Sequence, residues 1–193
     1  MEATGKRAPL YGVVLAGIAL RAVLYAFASV QSTLATRPEL VTSVSSFRRV
    51  KEAAYLLQSV GSPYAGDVFH QPPLAFAIFF PIFALPSASV QYAATCAVFI
   101  AIDVAIAVGL ARLCARTQQL EEARIPTDDN GQEIWLTKIP VSPMFLPQNL
   151  PVAVAAIYLF NPYSIASSVA MATTSLTHVT VLYALVFAAE GAA

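Results

Sequence analysis

The chain has 193 residues, 58% of them hydrophobic and only 11% charged, with a mean hydropathy of +0.66. A soluble domain carries roughly 25% charged residues, and a disordered chain is charge-rich and poor in aliphatics, so both classes are excluded. Eleven basic residues balance eleven acidic ones, and 2 Cys and 8 Gly are too few for a disulfide scaffold or a collagen; what is left is an integral membrane protein with no net field for nucleic acid.

A helix needs about 20 apolar residues to cross roughly 30 Å of hydrocarbon. The run 10–30 meets that need, preceded by Lys6 and Arg7 and interrupted by Arg21. A basic flank before an apolar run also describes a signal peptide, with Ala26-Phe27-Ala28 as a cleavage site, but a charge at Arg21 is foreign to a signal core. An uncleaved first span is expected.

The loop 31–89 follows. From Ser45 to Gln58, Phe47, Val50, Ala53, Ala54 and Leu57 share one helical face, with Arg48, Arg49, Lys51, Glu52 and Gln58 on the other. That is an amphipathic helix by periodicity, started by Ser45 or Ser46 and stopped by Gly61 and Pro63. It suits either the membrane interface or the tops of the spans. A Gly- and Pro-rich turn comes next, in which Asp67 and His70 lie close enough to pair. The apolar run 74–85 is bracketed by Pro72, Pro73 and Pro86. Twelve residues are too few to span, which predicts a re-entrant or interfacial segment.

The second span is 90–110, interrupted by Asp103, and a polar loop 111–151 follows. Residues 152–172 read as a kinked span broken at Asn161-Pro162, and the polar run Thr173 to His178 forms its tip. A return helix starts near Val179 and has 15 residues, 179–193, in which to cross. An incomplete last crossing, and so the N-terminal part of a longer protein, is expected. The architecture predicted is all-α, a polytopic transmembrane helical bundle. Orientation depends on 74–85. If it does not span, the N-terminus and 111–151 hold six Lys/Arg against four in 31–89; if it does, the split is eight against two with the N-terminus outside.

Ionisable residues at membrane depth face one another or a cavity. Arg21 lies 11 residues or so into its span and Asp103 a similar depth into its own, so antiparallel helices bring them together as an intramembrane pair. Asn161-Pro162-Tyr163 frees helix carbonyls and kinks the chain, and the Ser and Thr that follow are helix glue or the wall of a polar cavity. Cys96 and Cys114 fit no disulfide, metal knuckle or redox pair; neither a metal nor a cofactor is expected.

The strings Ser45-Ser46-Phe47-Arg48-Arg49-Val50-Lys51-Glu52, Leu56-Leu57, Gly61-Ser62-Pro63-Tyr64-Ala65-Gly66, Val68-Phe69-His70-Gln71-Pro72-Pro73-Leu74 and Leu159-Phe160-Asn161-Pro162-Tyr163-Ser164-Ile165 resemble the PIG-U family (phosphatidylinositol glycan class U), as do Arg21-Ala22 and Asp103. The resemblance runs from Leu10 to Leu185, with an insertion-like stretch from Glu121 to Gln148. It implies a multi-pass subunit of the GPI transamidase in the endoplasmic reticulum membrane. That complex removes a C-terminal signal from a precursor and joins the new carboxyl end to a glycolipid. It further implies the N-terminal part of a C-type glycosyltransferase-like (GT-C-like) fold, in which 31–89 is lumenal, 74–85 does not cross and 111–151 is cytosolic.

A glycosyltransferase of that fold places acidic residues early in the first lumenal loop as general bases. Here Arg37 to Ser46 holds Glu39 alone. Transamidation needs a Cys with a nearby His, and neither Cys96 nor Cys114 is expected beside His70 or His178. By resemblance, then, the chain is a non-catalytic subunit. Its expected partners are the other transamidase subunits, the GPI glycolipid, the precursor's C-terminal signal and membrane lipid, with no nucleic acid; the alternative is a GT-C-type lipid-linked mannosyltransferase. Asn161, Pro162, Tyr163, His70, Phe47 and Arg48 are the expected contacts with lipid or signal.

Overall fold

The computed structural model describes residues 8–67, 69–122, 144 and 146–191. Among these, helices form throughout and no strand does, apart from one isolated antiparallel bridge between Ser46 and Ala172. The chain is an all-α membrane protein. In order, the helices are α1 (Ala8–Ala26), α2 (Ala28–Ala35), α3 (Phe47–Val60), α4 (Pro73–Phe79) with a 3-10 turn at Phe80–Ala84, α5 (Ala88–Glu122), α6 (Leu150–Phe160), α7 (Pro162–Val169) and α8 (Thr174–Gly191). Most of the expected loop 111–151 and Val68 of the family-like strings lie outside the described residues.

Two helices, α1 and α5, are long and apolar enough to cross a membrane. At about 1.5 Å per residue, the 19 residues of α1 measure about 28 Å, close to the hydrocarbon thickness. The 35 residues of α5 measure about 52 Å, so this helix runs well past the apolar stretch that announces it. The pair α6 and α7 makes a third span if counted as one, bent by 51° at Asn161. Pro73–Ala84 is apolar but short.

Helix α5 runs antiparallel to α1 and parallel to α8, where Tyr183 meets Ala105 and Glu190 meets Arg112. Tyr92 near the start of α5 donates to the Tyr25 carbonyl near the end of α1, at 2.9 Å. At the far end of α5, Arg112 pairs with Glu190, and Arg116 donates to the Ala189 carbonyl, both at 3.1 Å. The helices approach closely where side chains are small. Ala107 and Ala155 are fully buried between α5 and α6. A Cβ on Gly17 of α1 would sit 3.2 Å from the Leu159 side chain, and one on Gly109 of α5 would sit 2.8 Å from Leu182 of α8. Lipid tails are as apolar as Leu, so close backbone approach rather than water exclusion holds such helices together.

Segments between α1 and α5 fold over one end of the bundle as a cap. Helix α3 starts where Ser46 accepts from the Arg48 amide and ends at Gly61 in the left-handed region, φ 84°. Its apolar face buries Phe47, Val50, Ala53 and Ala54. Phe47 meets Phe79 of α4 at a centroid distance of 5.0 Å and Phe99 of α5 at 5.9 Å. The edge-on geometry of both pairs suits the aromatic quadrupoles.

Helix α8 begins at Thr174, five residues ahead of the apolar run near Val179. The polar run is the helix's own first turns, because Thr173 supplies the preceding anchor: its amide and hydroxyl both donate to the Ser45 carbonyl, at 2.8 and 2.9 Å.

Candidate functional site

The break between α6 and α7 follows from two residues. Pro162 has no N–H, so the Tyr158 carbonyl loses its regular partner and takes only a long bond of 3.4 Å from the Asn161 amide. Asn161 adopts extended backbone and its side chain accepts from the Tyr163 amide at 2.8 Å. That bond caps the start of α7. It also removes the donor that a continuous helix would have aimed at the Leu159 carbonyl.

Arg21 fills this gap. Its side chain is 1% exposed, its Nη1 donates to the Leu159 carbonyl at 3.0 Å, and its Nε donates to Asp103 at 2.6 Å. Asp103 accepts on its other oxygen from the Tyr158 hydroxyl at 3.0 Å. Three helices, α1, α5 and α6, are thereby joined through one buried ion pair beside the break. Tyr25, one turn on from Arg21, donates to the Ser168 carbonyl in α7, so α1 holds both arms of the bend. The sequence brings Arg21 and Asp103 to compatible depths, and they do meet. Tyr158 and the Leu159 carbonyl are partners that sequence reasoning missed. A proline's effect on the carbonyl four residues earlier is the signal that points toward this turn.

At the capped end, the strip 44–46 lies against the junction of α7 and α8. The Phe47 amide donates to the Met171 carbonyl at 3.3 Å, and Met171 takes a left-handed conformation, φ 58°, to present it. Gln71 locks the same strip from the other side, its Nε2 donating to the Val44 carbonyl at 2.9 Å and to Ser46 at 3.3 Å. Its Oε1 is buried with no hydrogen-bond partner among the described residues, an arrangement that costs about 1–3 kcal/mol. Gln71 borders a cleft of about 310 Å³ between α4 and the first half of α8.

The expected contact residues do not form one cluster. Asn161 and Pro162 make the helix break, and Tyr163 beside them is 62% exposed with its hydroxyl on the Glu39 carbonyl at 2.8 Å. His70 stands at the rim of the cleft, its Nε2 3.5 Å from Asp67, and both are open to solvent; such an exposed pair contributes little. Arg48 lies on the outer face of α3, beside Lys51 and Tyr55. Phe47 is 4% exposed, so it seats α3 as a core residue rather than standing out on the surface. Cys96 is buried in α5, and Cys114 lies farther along the same helix. Among the described residues, no group of three or more His, Cys, Asp or Glu is arranged to hold a metal.

Comparison with known proteins places this geometry in a family. The chain is 30% identical to the GPI-anchor transamidase component PIGU of Homo sapiens over 194 residues, which cover 96% of this chain and 41% of the human protein. The Cricetulus griseus protein of the same name is 30% identical and that of Mus musculus 29%, each covering 95% of this chain and 40% of its own length. The chain thus spans about two fifths of the length of the curated relatives it matches. A family model described as GPI transamidase subunit PIG-U matches residues 15–193, and the chain belongs to the PIG-U family.

Proposed function

We propose that the chain acts as a non-catalytic membrane part of a GPI transamidase in the endoplasmic reticulum. In that role it helps to hold the GPI glycolipid or the precursor's C-terminal signal while anchors are attached, alongside the other subunits. The capped end faces the lumen in this reading, with 74–85 skimming the membrane rather than crossing it. The observation that carries it is the corner at Asn161: a helix break braced from inside by Arg21 and presenting exposed Tyr163 beside the cap. Broken helices at membrane depth are tolerated where they line a site or are buried in protein. The position of the cysteines supports an accessory role, since Cys96 is buried within α5 and His70 lies out on the cap, whereas a transamidase nucleophile works beside its His. Glu39 offers its backbone carbonyl to Tyr163, which suits a structural loop rather than a glycosyltransferase base.

Co-purification tests the reading. The tagged chain, expressed in cells lacking the endogenous family member and extracted in mild detergent, captures the other transamidase subunits. The double substitution Asn161→Leu with Pro162→Ala lowers that capture and leaves membrane insertion unchanged. Stable insertion without capture overturns the proposal.

A further inference from the structure

The buried ion pair of Arg21 and Asp103 is half of a fork. In a guanidinium, the N–H of Nε and one N–H of Nη2 point the same way, and together they match the two oxygens of one carboxylate. Here Nε donates to Asp103 Oδ2 at 2.6 Å, while Oδ1 accepts from the Tyr158 hydroxyl at 3.0 Å. Nη1 is occupied by the Leu159 and Gly17 carbonyls, at 3.0 and 3.3 Å. Nη2 is buried with no hydrogen-bond partner among the described residues. The unmet donor is thus the one that covalent geometry aims toward Asp103, and Tyr158 holds the oxygen that completes the fork.

Two terms oppose each other at this point. Local bonding favours closing the fork, because two parallel charge-assisted bonds are stronger than one. The group then left without a partner is a neutral phenol O–H instead of part of a cation, and the smaller penalty goes with the neutral group. Packing favours the present arrangement. Tyr158 lies against both a larger buried cluster that includes Phe99 and Ile106 and a smaller one of Ala107, Ala111, Ala155 and Leu159. Opposed terms of this kind in a close-packed interior give discrete alternatives rather than a continuous range.

We propose that Tyr158 is a latch with two settings on the bend between α6 and α7. In the set position its hydroxyl holds Asp103 and ties α6 to α5, as the structure shows. In the released position the hydroxyl leaves, Asp103 turns Oδ1 onto Nη2, and the ion pair closes into a fork that no longer includes Tyr158. The Leu159 carbonyl keeps its bond from Nη1, so α6 pivots about that point instead of separating from α1. The hinge is the break at Asn161, two residues on, where the backbone is already extended. Any group that binds the corner better in one setting shifts the balance by its difference in affinity. The latch belongs to this chain's own packing and does not depend on the transamidase reading.

The test compares the full chain with Tyr158→Phe, which deletes the hydroxyl and keeps the ring in its packing, both in phosphatidylcholine nanodiscs. Arginine side chains labelled with 15N and aspartate carboxyl carbons labelled with 13C are read by proton-detected NMR. In Tyr158→Phe one Arg21 Nη2 proton moves downfield and gains a dipolar contact to the aspartate carboxyl carbon. The movement of α6 is read separately, as a spin-label distance between Leu15→Cys on α1 and Ile157→Cys on α6, both exposed, with Cys96 and Cys114 replaced by Ala. The released position is a minority of about 0.1–10% in the unaltered chain. In Tyr158→Phe it is the majority, and a second distance outweighs the first. An Nη2 that stays unbonded in Tyr158→Phe overturns the proposal, since the hydroxyl is then an ordinary bond and not a latch. A fork that closes with the distance unchanged overturns it as well, because the bend is then indifferent to Tyr158.

Discussion

The two ends of this molecule are packed by different rules. The cap is held by bulk: Phe47, Phe79 and Phe99 are each almost fully buried and touch one another across α3, α4 and α5. The bundle beneath is held by smallness, with Ala107, Ala111 and Ala155 buried where α5 and α6 meet and glycines where α1 meets α6 and α5 meets α8. The contrast matches the solvent. Near water, burying a phenyl ring is itself the driving force; within lipid that force vanishes, and close backbone contact and polar bonds take over. One chain thus uses two kinds of core, and the polar bonds that the bundle needs are concentrated at Arg21 and Asp103.

If that division is right, damage to each region has its own scale. The largest effect falls on the ion pair. Asp103→Leu leaves Arg21 buried and unpaired, at a cost of about 3–5 kcal/mol, read as an earlier transition when the detergent-solubilised chain is titrated with SDS. Adding Arg21→Met restores most of the loss. It does not restore all, because the Leu159 carbonyl then has no donor, a deficit of about 1–3 kcal/mol. Full additivity of the two losses would break the argument.

In the cap, Phe79→Ala costs about 3 kcal/mol, and the loss is local. Protease sensitivity rises in residues 61–71 while the SDS transition of the bundle stays within error. A simultaneous loss of both would show that the two regions are one cooperative unit.

The smallest effect distinguishes two glycines. Gly109→Ala presses on Leu182 and Tyr183 and costs about 1 kcal/mol. Gly12 has open space around it, so Gly12→Ala stabilises α1 by up to about 1 kcal/mol through helix propensity. The same SDS titration gives both signs, and a matched loss at both positions would remove the packing argument.

Much of the cap and the bend can be read from residue order. The face of Phe47, Val50, Ala53 and Ala54, with Ser46 before it and Gly61 after it, specifies α3 almost to its ends. Asn161-Pro162 announces the break. The end of α5 is not legible in the same way: beyond Leu110 the helix continues through residues such as Arg116, Gln118 and Glu121, which favour helix but carry no hydropathy signal. Two bonds that seat the segment 45–47, from the Thr173 amide to the Ser45 carbonyl and from the Phe47 amide to the Met171 carbonyl, join backbone groups, and backbone atoms have no letter in a sequence. Phe47 illustrates the limit well. Its place on an apolar face is visible, but only the packing of α4 and α5 upon it separates a core residue from a surface contact.

The Arg21 network also sets a schedule. Arg21 precedes its carboxylate partner by 82 residues and the Leu159 carbonyl by 138. At about 5–20 residues per second of synthesis, Asp103 emerges roughly 4–16 s after Arg21, and Leu159 roughly 7–28 s after it. Throughout that interval α1 holds a guanidinium that lipid does not solvate. Helix α1 is therefore made well before the groups that satisfy its arginine, and its polar bonds in the bilayer close only when α5 and α6 arrive.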